Sequence, residues 1–171
     1  MPNKNIFAIS GSLRSGSSNH SILRFLGGLM PADVDYTIYE DLAQIPPFDP
    51  GLDNEHPPQP VVDFRNNINN AGIVIICTPE YAFGVPGQLK NALDWTVSSS
   101  TLVDKQVVLI TASSVGDSAH ASLLKTLGAL SANVIADLLV PFIRAKIDSD
   151  GQIMDEGLKV DLGVILVTIL K

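Results

Sequence analysis

The sequence predicts an α/β protein with five parallel strands in a doubly wound sheet of order 2-1-3-4-5. Three observations carry that expectation. Short, almost continuous apolar runs recur along the chain, as in strands buried on both faces. Segments with helical spacing of apolar residues separate them, and such alternation marks a parallel sheet covered by helices. Five such units fit the 171 residues, which we read as one domain spanning residues 1–171.

Ile6-Phe7-Ala8-Ile9 is the first buried strand. The polar loop Gly11 to Asn19 leads into a helix with Ile22, Leu23, Leu26 and Leu29 on one face, weakened at Gly27-Gly28 and stopped by Pro31. Val34 to Tyr39 alternates and is the second strand. A long loop, Asp41 to Pro60, follows with six prolines and no periodicity, and loops of that length are often functional. Val61 to Asn70 is a short helix, and Ile73 to Cys77 is the clearest buried strand. Thr78 to Pro86 forms a loop, after which Pro86 opens a helix lined by Leu89, Ala92, Leu93 and Thr96. Val107 to Ile110 is the fourth strand, and Ala112 to Asp117 is its polar exit loop. Ser118 is placed to cap a helix striped by Leu123, Leu124, Leu127 and Leu130. Val134 to Ala136 begins the fifth strand, Asp148 to Gly151 is a turn, and the last helix starts at Glu156.

Apolar residues make up 46% of the chain and charged residues 17%, which excludes a disordered protein. The net charge of −7 argues against nucleic acid and against anionic membrane surfaces as partners. Cys77 stands alone, so no intrachain disulfide forms, and the chain reads as cytoplasmic. Met1 to Asn5 lacks the charged and apolar regions of a signal peptide. The tract Leu162 to Leu170 is too short for a membrane span.

Ligands of an open parallel sheet bind beyond the carboxyl ends of the strands, where the strand order reverses. That rule selects the loops after strands one, three and four. The first, Ser10 to Asn19, holds five serines, an asparagine and Arg14 just before a helix, a composition suited to an anion and above all to a phosphomonoester. It has neither the Lys-Ser/Thr ending of a P-loop nor the three-glycine dinucleotide pattern. The second, Pro79 to Gly87, is stiffened by two prolines, and its two glycines allow a flat ring close to the backbone. An ordinary rigid turn, with Tyr81 and Phe83 only packing, explains that composition equally well.

Gly11-Ser12-Leu13-Arg14-x-x-Ser17-x-Asn19, then Pro79-Glu80-Tyr81, then Pro86-Gly87-x-Leu89-Lys90-Asn91-Ala92-x-Asp94-Trp95 resemble the NADPH-dependent FMN reductase family, which includes quinone, azo and chromate reductases. Asp41-Leu42, Pro46-Pro47-Phe48-Asp49, Asp148-x-Asp150-Gly151 and Asp155-Glu156 extend the resemblance along nearly the whole chain. It implies a flavodoxin-like fold, non-covalent FMN, NADPH as co-substrate, a small-molecule electron acceptor, and a homodimer or homotetramer. It places the FMN phosphate at Ser12, Arg14, Ser17, Ser18 and Asn19. The isoalloxazine and ribityl chain fall along Pro79, Glu80 and Tyr81, with Ala82, Phe83 and Ser113 beside them. The flavin carries the chemistry, so no side chain is assigned as catalytic. The sequence departs from the family where Ala82 and Gly84 replace the usual Asn and Ser, and where the third loop, Ser113 to Asp117, has one glycine and an acid. A flavin-binding electron carrier and a family member that has lost flavin are the alternatives these departures keep open.

The remaining residues favour plain structural roles. Cys77 is expected to be buried and inert, His20 exposed in the first turn of a helix, and Trp95 packed. His120 lies beside the third loop, where a plain structural role is favoured over an approach to a bound nicotinamide. The three histidines share no ligand-like spacing with Cys77, so no metal site is expected. Asp148-x-Asp150-Gly151 is a fragment of a calcium loop with Lys159 where the last acid belongs, and a β-turn is the better reading. Val160 to Leu170 is apolar enough to bury a dimer face.

Overall fold

The computed structural model describes residues 4–171. Five strands, β1 (Lys4–Ser10), β2 (Val34–Tyr39), β3 (Ile73–Thr78), β4 (Gln106–Ala112) and β5 (Asn133–Val140), form one sheet of order β2-β1-β3-β4-β5. Every neighbouring pair is parallel, as the apolar runs require. The helices are α1 (Ser18–Gly28), α2 (Gln59–Asn70), α3 (Gly87–Asp94), α4 (Asp117–Ala129) and α5 (Glu156–Leu170). Successive strand residues point to opposite faces, so β1 sends Phe7 and Ile9 toward one core and Ile6 and Ala8 toward the other. α2, α3 and α4 cover the first face, and α1 and α5 cover the second.

Several boundaries differ from the sequence reading. Leu29 is exposed, because α1 has ended at Gly28 and Leu29 is its C-cap. Ser118 does not cap α4; Gly116, at φ +107°, occupies that position and Ser118 lies exposed in the first turn. Pro86 precedes the first residue of α3 as its N-cap. Gly151 N–H donates to Asp148 O (3.2 Å), closing the expected β-turn.

The proline-rich segment 41–60 begins with a 3-10 turn, Leu42–Gln44, and is clamped by α3. Gln88 Nε2 donates to Leu42 O and Ile45 O, both at 2.8 Å. Asn91 donates to Pro46 O (2.9 Å) and accepts from Phe48 N–H (2.7 Å). Trp95 is fully buried, donates to the same Pro46 O (2.9 Å), and meets the Phe48 ring edge-on at 5.0 Å. The Asn-Ala-x-Asp-Trp stretch is therefore a loop anchor. Prolines leave carbonyls without matching N–H groups, and α3 supplies the missing donors.

Candidate functional site

Ser10 pairs with Cys77, and the chain reverses its direction of winding between β1 and β3, so their exits border one cleft. Gly11 N–H donates to Cys77 O (2.8 Å), which ties the first loop to β3. A Cβ on Gly11 would sit 2.2 Å from Thr78 Oγ1; the close approach of the two strands therefore requires glycine here.

Ser17 is the N-cap of α1, its Oγ accepting from His20 N–H (3.2 Å). Ser12 Oγ accepts from Arg14 N–H (3.3 Å) and lies 3.4 Å from the Tyr81 hydroxyl, joining the first two loops. The N–H groups of Ser15, Gly16, Ser18 and Asn19 have no protein acceptor among the described residues. Of these, Ser18 and Asn19 border the cleft, where their N–H groups, the Ser18 hydroxyl and the positive end of α1 suit an anion. Asn19 is buried, donates to Ala112 O (3.4 Å) and accepts from the Cys77 thiol (3.4 Å), so its side chain sews α1 to β3 and β4.

His20 is buried, 6% exposed, contrary to the sequence expectation. Its Nδ1 is 3.2 Å from Ser17 Oγ and its Nε2 is 3.7 Å from a carboxylate oxygen of Glu40. The end of β2 covers the first turn of α1, a neighbour that local sequence does not show. Burial pushes the Cys77 thiol far above its ordinary range, matching the inert reading.

The Glu80 carboxylate reaches the start of α4. Its Oε1 accepts from Gly116 N–H (3.2 Å) and its Oε2 from Ala119 N–H (2.9 Å), capping α4 across space. Its own N–H donates to Ser113 Oγ (3.2 Å). Ala82 and Phe83 stand at the tip of a two-residue hairpin closed by Tyr81 N–H to Gly84 O (3.0 Å) and Gly84 N–H to Tyr81 O (2.9 Å). Both are left-handed, at φ +48° and +58°, the type I′ geometry that Asn-Gly usually fills. Phe83 is 79% exposed. His120 is held by Thr111 Oγ1 (2.9 Å) and Asp137 Oδ2 (3.0 Å), facing β5.

The cleft between these loops has a volume of about 400 Å³. Ser12, Arg14, Ser17, Ser18, Asn19, Pro79, Glu80, Tyr81 and Ser113 line it, while Ala82 and Phe83 lie outside its wall. Ala112 and Ser114 belong to the third loop the sequence selects, though only Ser113 is singled out there; Ile143 and Arg144 were missed. Ser113 N–H donates to Val140 O, and Ile143 N–H to Ser113 O, which draws the exit of β5 to the cleft. The rule of carboxyl-edge loops, extended to the fifth strand, would have found Arg144. Among the described residues, no group of His, Cys, Asp and Glu is placed to hold a metal ion.

A parallel sheet of this order, with a cleft between the exits of β1 and β3 where the winding reverses, defines a flavodoxin-like fold. The family model for NADPH-dependent FMN reductase matches residues 4–145, and the chain belongs to that family. It is 38% identical over 116 residues to a quinone reductase of Escherichia coli K12, covering 65% of this chain and 60% of that protein. It is 33% identical over 160 residues to the NADH:(hydroxy)cinnamate reductase subunit CrdA of Vibrio ruber, covering 89% and 78%. Among solved structures, the flavoenzyme NAD(P)H:(acceptor) oxidoreductase FerB of Paracoccus denitrificans superposes with a TM-score of 0.78 at 22% identity, covering 98% of this chain and 95% of that one. An azoreductase of Bacillus anthracis superposes at 0.71 with 12% identity, covering 96% and 99%. These two likenesses show the fold.

Proposed function

We propose that the protein is a cytoplasmic oxidoreductase that holds FMN non-covalently in the cleft and reduces a small quinone-type acceptor with NAD(P)H. The net reaction is NAD(P)H + H⁺ + quinone giving NAD(P)⁺ and hydroquinone. The observation that carries this reading is the start of α1 at the cleft, where N–H groups without an acceptor among the described residues, together with serine hydroxyls, suit the acceptor oxygens of a phosphomonoester. The Ser18 hydroxyl and the N–H groups of Ser18 and Asn19 would hold the phosphate, with Arg14 and Arg144 supplying charge. Pro79 to Tyr81 would lie along the ring, held rigid by the Glu80 cap and the Ser12–Tyr81 contact. Bound FMN supplies hydride acceptance and donation at its ring. The residues bind and orient it, and none moves a proton.

Tyr81, Phe83 and Phe142 are exposed aromatics on loops bordering the cleft, and a flat aromatic acceptor suits them better than a metal oxyanion does. Val160, Val164 and Val167 form an exposed stripe on α5, which fits an isologous contact in a homodimer. No helix among the described residues is long and apolar enough to cross a membrane.

The test is to incubate the protein with FMN, desalt it, and add NADPH without oxygen, then a benzoquinone. Retained flavin absorbance that bleaches and then recovers with turnover is expected. Retained flavin that no nicotinamide nucleotide reduces would assign an electron carrier instead. Failure to bind FMN would refute the reading.

A further inference from the structure

A second cavity, of about 320 Å³, opens directly from the phosphate end of the cleft. The two share Arg14, Ser18 and Arg144, whereas Pro79, Glu80 and Tyr81 border only the first. The second cavity runs along α1 to Arg24 and ends on the turn Asp148 to Gly151. That turn is fixed. Asp148 Oδ1 accepts from the N–H groups of Asp150 (3.0 Å) and Gln152 (2.8 Å), and Gly151, at φ +82°, takes a conformation that favours glycine.

Three of the four arginines in this acidic chain, Arg14, Arg24 and Arg144, line the cavity. Among the described residues none of the three makes an ion pair or a side-chain hydrogen bond. The fourth, Arg65, is bonded to Trp95, Asp53 and Ser98. Unpaired guanidiniums converging on a hollow are a phosphate-binding arrangement. Asp148 and Asp150 also line the cavity; carboxylates are unsuited to a bare anion, but they suit a ribose diol, which donates hydrogen bonds to a carboxylate.

Resting on the FMN reading above, we propose that this cavity is an adenylate subsite, so that the chain accepts FAD as well as FMN. The position decides the ligand class. An occupant that starts at the flavin phosphate and leads away from the ring is the group joined to that phosphate. In FAD this is a second phosphate, a ribose and an adenine. Arg14 and Arg144 flank the pyrophosphate, Arg24 meets the adenylate phosphate, and Asp150 takes the ribose hydroxyls. A volume of about 320 Å³ lies within the usual range of small-ligand pockets, roughly 300–1,000 Å³.

The test is flavin-fluorescence titration of the apoprotein with riboflavin, FMN and FAD, for the wild type, Arg24→Ala and Arg24→Glu. Arg24 does not border the FMN cleft and its side chain is exposed, so both variants should fold. The wild type is expected to bind FAD at least as tightly as FMN. Loss of one charge-assisted contact should weaken FAD by about tenfold or more in Arg24→Ala, and further in Arg24→Glu, while FMN changes by less than about twofold. Tight FMN with FAD at least about tenfold weaker would overturn the subsite and leave the FMN reading intact. Equal effects of the substitutions on both flavins, or a raised KM for NADPH with unchanged FAD affinity, would also overturn it. Absence of FMN binding to the wild type would remove the FMN reading itself.

Discussion

Replacing Gly11 by Ala should loosen the site and the sheet together. The new Cβ would fall 2.2 Å from Thr78 Oγ1, 2.7 Å from Thr78 Cβ and 3.0 Å from Leu89 Cδ2. Rotating Thr78 does not help, because its Cβ stays in place and a β-branched side chain fills both alternatives. The backbones must part, and the Gly11 N–H to Cys77 O bond of 2.8 Å stretches. Overpacking costs about 1–3 kcal/mol, and a weakened hydrogen bond adds about 1 kcal/mol. Taking roughly 3 kcal/mol, and about 2–4 °C per kcal/mol for a chain this size, Tm should fall by about 6–12 °C. FMN affinity should fall with it, since the phosphate loop leaves the sheet at this residue. Gly128→Ala is the control. A Cβ there meets nothing within 4 Å, in the last turns of α4, and should raise stability by about 0.5–1 kcal/mol. Thermal unfolding followed by circular dichroism, with FMN titration of both variants, reads out the result. A Gly11→Ala protein melting within about 2 °C of the wild type would refute the close-approach argument.

Three further outcomes are expected. Phe83→Gly should stabilise the protein: removing the Cβ strain of the left-handed conformation is worth about 1–2 kcal/mol, less about 0.5–1 kcal/mol of added unfolded-state entropy, giving a Tm rise of a few degrees. A lower Tm would show that the exposed ring packs. Cys77 should resist a thiol reagent in the native state and react fully in denaturant, because it is buried at the end of β3 and its thiol is held protonated; rapid native labelling would contradict the burial. Asp53 is buried, which raises its pKa, but hydrogen bonds from Ser98 and Arg65 and the Arg65 charge outweigh that and lower it. A lowered folded pKa gives stability that is present above the unfolded value of about 3.9 and is lost as pH falls through the folded one. The urea midpoint of the wild type should therefore drop more steeply than that of Asp53→Asn below about pH 4. Parallel profiles would show that the pair with Arg65 contributes nothing there.

Motifs read from the sequence acquired their physical meaning only when folded. Pro79-Glu80-Tyr81 is legible as a ring-side loop, yet the Glu80 carboxylate is spent on capping α4, whose Gly116 has no side chain to do so. The Asn91 to Trp95 stretch is legible as a family feature, and the structure makes it the clamp of a proline-rich segment distant in sequence. Ala82-Phe83 carries no signal for a type I′ turn, since neither residue favours positive φ. Closure of the Tyr81–Gly84 pair imposes that turn.

The five strands and their order were determined by the sequence alone, because buried parallel strands are apolar on both faces and right-handed crossovers leave few topologies. So was the serine-rich turn before α1, with Ser17 as the helix cap, because a turn between a strand and a helix is a local structure. The burial of His20 under the end of β2 was decided only by the tertiary fold. So were the arrival of Arg144 from the exit of β5 and the gathering of three arginines beside the cleft. Each of these joins residues from separate βα units. Hydrophobic periodicity fixes which face of an element is covered, but the packing of whole elements fixes which polar ends meet.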